Sequence, residues 1–276
     1  MYHPIKIVCR NHPSMKINLE ADGIALIGFG SSRPYNREAM LYCLDLFKKA
    51  GAKHTYHAFI GREEPSIQQM LQNACDDGIK RLTVIPYLMA TGEMTIGYIP
   101  EKLGIASRYG EHEIDSPGKM TIEYLRPIGE SPKIADILDD MIKHTPAGKG
   151  KKALMLITHG SKIGYRSDLM ELTEERLEKK GYRGIYKARI EFEEPPIDEC
   201  AETMVVEGVR HIIAVPLLIA SGIHHKDDIP VALGLREGMT KGTARIWNRD
   251  IRIDITQPIG KHPLMKEVVA DILENA

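Results

Sequence analysis

The sequence predicts an α/β protein of two similar β-α repeat halves, each a parallel four-stranded sheet flanked by helices. Two observations carry this expectation. The first is an internal repeat: residues 25–104 align without a gap on residues 155–234 at an offset of 130, with 24 of 80 positions identical. The matches include Gly30-Ser31 with Gly160-Ser161, Glu63-Glu64-Pro65 with Glu193-Glu194-Pro195, Pro86 with Pro216, and Ile99-Pro100 with Ile229-Pro230. After one extra residue, Pro127-Ile128-Gly129 matches Pro258-Ile259-Gly260. A solenoid repeats every ~20–50 residues, so a period this long indicates a duplicated domain. The second observation is the alternation of short apolar runs with helical patterns inside each copy.

In the second copy, Ala153 to Thr158 is a continuous apolar run and reads as a buried strand. Ser167 to Lys180 has helical spacing and closes at Gly181. Gly184 to Ile190 is again a strand, and Pro195 to Glu207 a helix with Pro in its first turn and Gly208 after its end. His211 to Leu218 and Ile251 to Gln257 supply two more strands, with helices after Lys226 and His262. Such β-α alternation implies a parallel sheet covered by helices, joined by right-handed crossovers. The polar, Gly- and Lys-rich stretch Thr145 to Lys152 falls between the copies as the natural linker, giving an N-terminal half at 1–146 and a C-terminal half at 147–276.

Composition narrows the function. The chain has 276 residues, 43% hydrophobic and 27% charged, and its 37 Lys and Arg nearly cancel its 38 Asp and Glu. That balance argues against a nucleic-acid partner or a membrane-surface partner. No apolar run approaches the ~20 residues that span a bilayer, and Met1 to Glu20 lacks a signal-peptide apolar block, so a cytoplasmic protein is expected. Cys9, Cys43, Cys75 and Cys200 lie far apart without a CxxC pair and read as reduced thiols. His3, Cys9 and His12 fit no closed zinc spacing and read as a solvated arm of unassigned role. The Gly28-Phe29-Gly30 pair lacks the third glycine of a dinucleotide fingerprint, having Arg33 there.

In open parallel sheets, ligands bind outside the carboxyl ends of the strands. In the second copy those ends carry Thr158-His159-Gly160-Ser161, then Glu191 to Pro195, then Ala220 to Asp228. His159, Glu191 and His224 therefore come from three strand ends and are expected to converge. Neutral imidazole and carboxylate suit borderline divalent ions such as iron, cobalt, nickel and zinc, and the same groups accept protons near neutral pH. A histidine at a strand end is more often a hydrogen-bonded loop residue than a ligand, and the first copy is the internal control for that alternative. It has Phe29 for His159, Gly61 for Glu191 and Met94 for His224, while the Gly and Glu-Glu-Pro framework persists. Structural histidines have no reason to vanish together with the carboxylate. Glu193, Glu194 and Pro195 occur in both copies and read as framework, and Asp228 as a first-turn helix acid outside the catalytic set.

These stretches resemble the class II tetrapyrrole chelatases. The resemblance rests on Leu156-Ile157-Thr158-His159-Gly160-Ser161, on Ile190-Glu191 with Pro195 four residues on, and on Pro216 through Ile223 to His224 with Asp228-Ile229-Pro230 following. Among that class they look most like the sirohydrochlorin cobalto- and ferrochelatases of the CbiX and CbiK type, related to ferrochelatase. The resemblance implies two α/β halves enclosing a cleft, and a lyase activity that inserts a divalent metal into a tetrapyrrole without ATP, in cobalamin- or sirohaem-type biosynthesis. It implies no cofactor beyond the metal substrate, Co(II), Fe(II) or Ni(II). His159, Glu191 and His224 become the metal-handling and catalytic groups, carried by the C-terminal half. Phe29, Met94, Ser161, Lys162 and His225 are the expected substrate-binding residues, with Phe29 and Met94 as an apolar wall supplied by the degenerate half. Lys162, Arg166, Arg189 and Lys226 read as a basic rim. Where the family pattern has Phe-Leu-Glu, this sequence has Arg189-Ile190-Glu191. The duplication supplies two halves in one chain, so a monomer or small homo-oligomer is expected. A metal or tetrapyrrole carrier without turnover is the alternative function.

Overall fold

A computed structural model describes residues 17–31, 33–115, 117–161 and 168–275. Lys162, Arg166, His3, Cys9 and His12 lie outside the described residues. The first half runs β1 (Gly23–Phe29), α1 (Tyr35–Lys49), β2 (His54–Ile60), α2 (Ile67–Asp76) and β3 (Arg81–Pro86). A π-helical turn, Met94–Tyr98, then continues into α3 (Ile99–Leu103), followed by β4 (Gly110–Ile114), β5 (Met120–Tyr124) and α4 (Ile134–Lys143). The second half repeats this as β6 (Lys151–Thr158), α5 (Leu169–Lys179), β7 (Ile185–Arg189), α6 (Ile197–Val206) and β8 (Val209–Pro216). Its π-helical turn, His224–Asp228, leads into α7 (Ile229–Ala232), then β9 (Lys241–Ile246), β10 (Arg249–Ile255) and α8 (Met265–Asn275). The two π-helical turns stand at the same offset of 130 that the sequence repeat shows.

The strand orders are β2-β1-β3-β5-β4 and β7-β6-β8-β10-β9. In each sheet the four expected parallel strands are present, and β4 or β9 adds a fifth, antiparallel, at one edge. Each added strand forms a hairpin with the strand that follows it. β4 reads Gly-Glu-His-Glu-Ile and exposes three of its five residues, which is how an edge strand differs from the apolar inner strands.

Period-2 side-chain alternation divides each inner strand between two cores. Ile24 and Leu26 of β1 face a central cluster, whereas Ala25 and Ile27 face a second cluster with α2 and α3. On β6, Leu154 and Leu156 join the same central cluster, and Met155 and Ile157 pack on α6 and α7. The central cluster also contains Phe47 of α1, Ile137 of α4, Leu177 of α5 and Val268 of α8. These four helices thus form one layer shared by both sheets. Each such side chain contributes about 1.5–3 kcal/mol relative to exposure, and here the contribution is common to the two halves. The Tyr87 hydroxyl crosses the same layer, donating to the Ala39 carbonyl at 2.9 Å with the Gly260 carbonyl at 3.3 Å. No helix among the described residues is long and apolar enough to cross a membrane.

Candidate metal-binding and active site

Sheet order decides which loops meet. β7, β6 and β8 are neighbours, so the segments leaving their carboxyl ends stand side by side. His159 directly follows β6, Glu191 lies two residues beyond β7, and His224 opens the π-helical turn after β8. One ligand atom from each of these three residues lies within 4.8 Å of the others. The two imidazole rings meet edge to face, 4.7 Å between centroids at 78°.

Backbone pairing registers the first two loops. The Ile190 N–H donates to the Thr158 carbonyl and the Glu191 N–H to the His159 carbonyl, both at 2.9 Å, continuing the β6–β7 ladder past the strands. Gly160 turns the chain away at φ +90°, and its missing side chain leaves room for the Glu191 carbonyl. Glu193 then ties the loops from the side. Its carboxylate accepts from the Ser161 N–H at 2.9 Å and from Arg189 Nε at 3.1 Å. Glu63 does the same in the first half, accepting from the Ser31 N–H at 2.7 Å and from Arg37 Nε at 2.6 Å. The shared Glu of the two copies is thus a loop tie in each.

His224 is oriented from its own turn. Its Nδ1 lies 2.6 Å from Asp228 Oδ2, one helical step on. With Nδ1–H donating to the carboxylate, the Nε2 lone pair is the one left to bind an ion, and the carboxylate fixes the orientation of the ring. Asp228 had read as a helix acid only. The signal available in the sequence was its i+4 spacing from a candidate ligand. His159 packs against the Phe192 ring, 5.8 Å between centroids, and Phe192 itself holds φ +66° with 48% exposure.

The triad lies in a cleft of 1190 Å³ lined by both halves. Phe29, Met89 and Met94 face it from the first half, and Met170, Phe192 and Ser161 from the second. Phe29 is 46% exposed, which for an aromatic ring in a cleft is surface available to a flat ligand. Two expected residues stand elsewhere. His225 is not at the cleft surface: it is 2% exposed, with both ring nitrogens engaged, so its expected contact with substrate is corrected. Burial holds its imidazole below the ordinary histidine range. Lys226, expected on the rim, reaches across to the first half, where Nζ meets the Tyr35 hydroxyl at 2.6 Å and lies over its ring at 4.2 Å.

Comparison with known proteins adds the following. The CbiX family model matches residues 23–145 and, a second time, residues 153–276. The chain is similar to a sirohydrochlorin cobaltochelatase of Methanococcus aeolicus, 37% identical over 87 residues, which cover 31% of this chain and 61% of that one. It is also similar to a sirohydrochlorin cobaltochelatase of Methanopyrus kandleri, 28% identical over 137 residues, 45% of this chain and 96% of that one. Among solved structures, the sirohydrochlorin chelatase SirB of Bacillus subtilis subspecies spizizenii, in complex with cobalt, shares the fold. Its TM-score is 0.65 at 17% identity, covering 92% of this chain and 94% of that one.

Proposed function

The chain belongs to the CbiX family, and from that premise we propose that it is a class II chelatase that inserts a divalent metal into sirohydrochlorin or a related tetrapyrrole without ATP. The observation that carries the proposal is the convergence of His159, Glu191 and His224, with ligand atoms within 4.8 Å of one another, at the wall of a cleft large enough for a macrocycle. The metal, Co(II), Fe(II) or Ni(II), is a substrate, and no resident cofactor is required. Insertion needs three things of the protein: a desolvated ion held loosely, a macrocycle presented with a pyrrole nitrogen exposed, and acceptors for two N–H protons.

The residues divide these tasks. His224 and His159 offer imidazole nitrogens, and Glu191 a carboxylate oxygen. Three ligands form an open set from which an ion can pass to four pyrrole nitrogens, whereas a closed four-ligand cage would retain it. Glu191 and the imidazoles accept the pyrrole protons as the metal leaves them. Phe29 and Met94 of the half at 1–146 press the macrocycle from the opposite wall, while the half at 147–276 holds the chemistry. One chain supplies both walls, so a monomer suffices. Buried, free Cys43 and Cys200 support a reducing compartment such as the cytoplasm.

The test is an absorbance assay with sirohydrochlorin and Co(II). Turnover beyond one equivalent per chain is expected, and saturation at one equivalent would make the protein a carrier. His159→Ala and His224→Ala should each lower the rate at least tenfold, about 1.4 kcal/mol of transition-state stabilisation. Near-normal turnover in both would sink the assignment. Glu191→Gln should lose rate and keep tetrapyrrole binding.

A further inference from the structure

His224 owes its place to a short π-helical turn, and a single turn has no stability of its own. What fixes that turn to the sheet is therefore part of the site. The residue after His224 is inside the protein: His225 is 2% exposed. Its Nε2 lies 3.0 Å from the Thr256 carbonyl oxygen, and its Nδ1 3.1 Å from Ser221 Oγ. A carbonyl only accepts, so Nε2 carries the proton and Nδ1 accepts from the serine hydroxyl. Both ring nitrogens are satisfied in one neutral tautomer. Thr256 is itself anchored, because its N–H donates to the Ala214 carbonyl of β8 at 2.9 Å. The chain of bonds thus runs from the turn to the end of β10 and into β8.

The first half solves the same problem with different atoms. At the position of His225 it has Thr95, 1% exposed, whose hydroxyl lies 2.8 Å from the Gly92 nitrogen and 2.9 Å from the Gly92 carbonyl oxygen. The tie to the sheet comes from the opposite direction: Tyr124, the last residue of β5, donates its hydroxyl to the Thr95 carbonyl at 2.7 Å. In the second half the matching last residue of β10 is Ile255, which has no such group. Each half therefore carries one link between its π-helical turn and its last parallel strand. Only in the second half does that link sit on the residue next to a candidate ligand.

We propose that His225 is a positioning residue for the chelation reaction, a hydrogen-bonded brace that holds the π-helical turn so that His224 meets His159 and Glu191. The inference rests on the reading of His224 as a metal-handling group. It assigns His225 no contact with metal or tetrapyrrole.

The experiment measures Co(II) binding to the free protein by its visible absorption, alongside melting temperature and the KM for sirohydrochlorin. His225→Ala should weaken Co(II) binding about 10–100-fold, the range typical for loss of an orienting partner, with the KM for sirohydrochlorin changed less than about threefold. His225→Gln can donate to the Thr256 carbonyl and accept from Ser221, and should recover most of the affinity. The decisive variant transplants the brace of the first half, His225→Thr with Ile255→Tyr, the lost imidazole leaving volume for the phenol. It should bind Co(II) within about threefold of the parent, where His225→Thr alone does not. Unchanged Co(II) affinity in folded His225→Ala would overturn the proposal, as would a loss that neither Gln nor the transplanted Tyr repairs. Should His225→Ala fail to fold, the transplant decides: folded and binding Co(II) supports the brace, folded and not binding refutes it. Because metal binding is read without turnover, a parent protein that binds Co(II) but makes no product would defeat the chelatase reading, and with it the part His225 plays in chelation, while the bracing of His224 for metal binding would stand.

Discussion

Gly160 separates the loop that bears His159 from the one that bears Glu191, and Gly160→Ala should push them apart. A β-carbon built on this backbone stands 3.1 Å from the Glu191 carbonyl carbon, whereas real β-carbons essentially never come within 3.0 Å of a neighbour. The carbonyl oxygen points at it, and a C=O bond is about 1.23 Å long, so that oxygen lies roughly 1 Å inside the limit. The clashing atom is backbone, held in the ladder by the Glu191 N–H bond to His159, and cannot rotate away. The loops must part by about 1 Å, and a misplacement of that size costs on the order of 100-fold in rate, about 2.7 kcal/mol. The φ of +90° adds backbone strain of about 1–3 kcal/mol to the folded state. The assay is steady-state Co(II) insertion with the melting temperature measured in parallel. Gly97→Ala is the control, since nothing lies within 4 Å of a β-carbon there. A Gly160→Ala enzyme within threefold of the parent rate would refute the argument that these two loops set the ligand geometry.

Three further outcomes follow from other contacts. Asp228→Asn keeps the shape of the 2.6 Å partner of His224 Nδ1 and removes its charge, so Co(II) affinity should fall about 10–100-fold in a titration; unchanged affinity would show that the carboxylate does not orient the ring. Met94→Ala should weaken tetrapyrrole binding about three- to tenfold with Co(II) binding to the free protein unaltered, and the reverse pattern would overturn the assignment of the first half as an apolar wall. Burial lowers the pKa of His57 and His211, so below about pH 6.5 the unfolded chain takes up protons that these folded imidazoles refuse. Their effect is neutral above that pH and destabilising as pH falls, so the drop in melting temperature between pH 7.5 and 5.5 should be smaller in a His57→Gln, His211→Gln variant; an equal drop would exclude them.

The duplication and the parallel order of both sheets were legible because apolar runs such as Leu154 to Ile157 and the constant offset are local signals. The meeting of His159, Glu191 and His224 was legible because β-α alternation makes the strands parallel and so sends their carboxyl ends to one edge of the sheet, although the order β7-β6-β8 that makes them neighbours was not. The antiparallel edge strands were not. Their hairpin in the second half turns at Trp247-Asn248, with φ +49° and +55°, a two-residue turn without the glycine that usually announces it. The π-helical turns were equally hidden, because a 3.6-residue periodicity does not register one residue inserted into a helix. The sequence places His225 at the cleft only because it adjoins His224, and the turn sends the two neighbouring side chains in different directions, His224 to the cleft and His225 inward. Asp228 was visible as a residue but not as a partner, since its role depends on which way the His224 ring turns.

The helical layer shared by both sheets has a consequence for how the chain can change over generations. The first half keeps none of the candidate ligands, yet Phe47 of α1 and Ile137 of α4 occupy the cluster that also buries Leu154, Leu156 and Val268. Deleting that half would strip the inner face of the second sheet, so the half without ligands cannot be shed as a redundant copy can. It is free to drift at positions that face the cleft and lie outside that cluster, where Phe29 and Met94 now stand. Duplication here has yielded a scaffold whose two parts share one core while only one carries the candidate ligands, which leaves the opposite wall open to be reshaped for a new ligand without touching them.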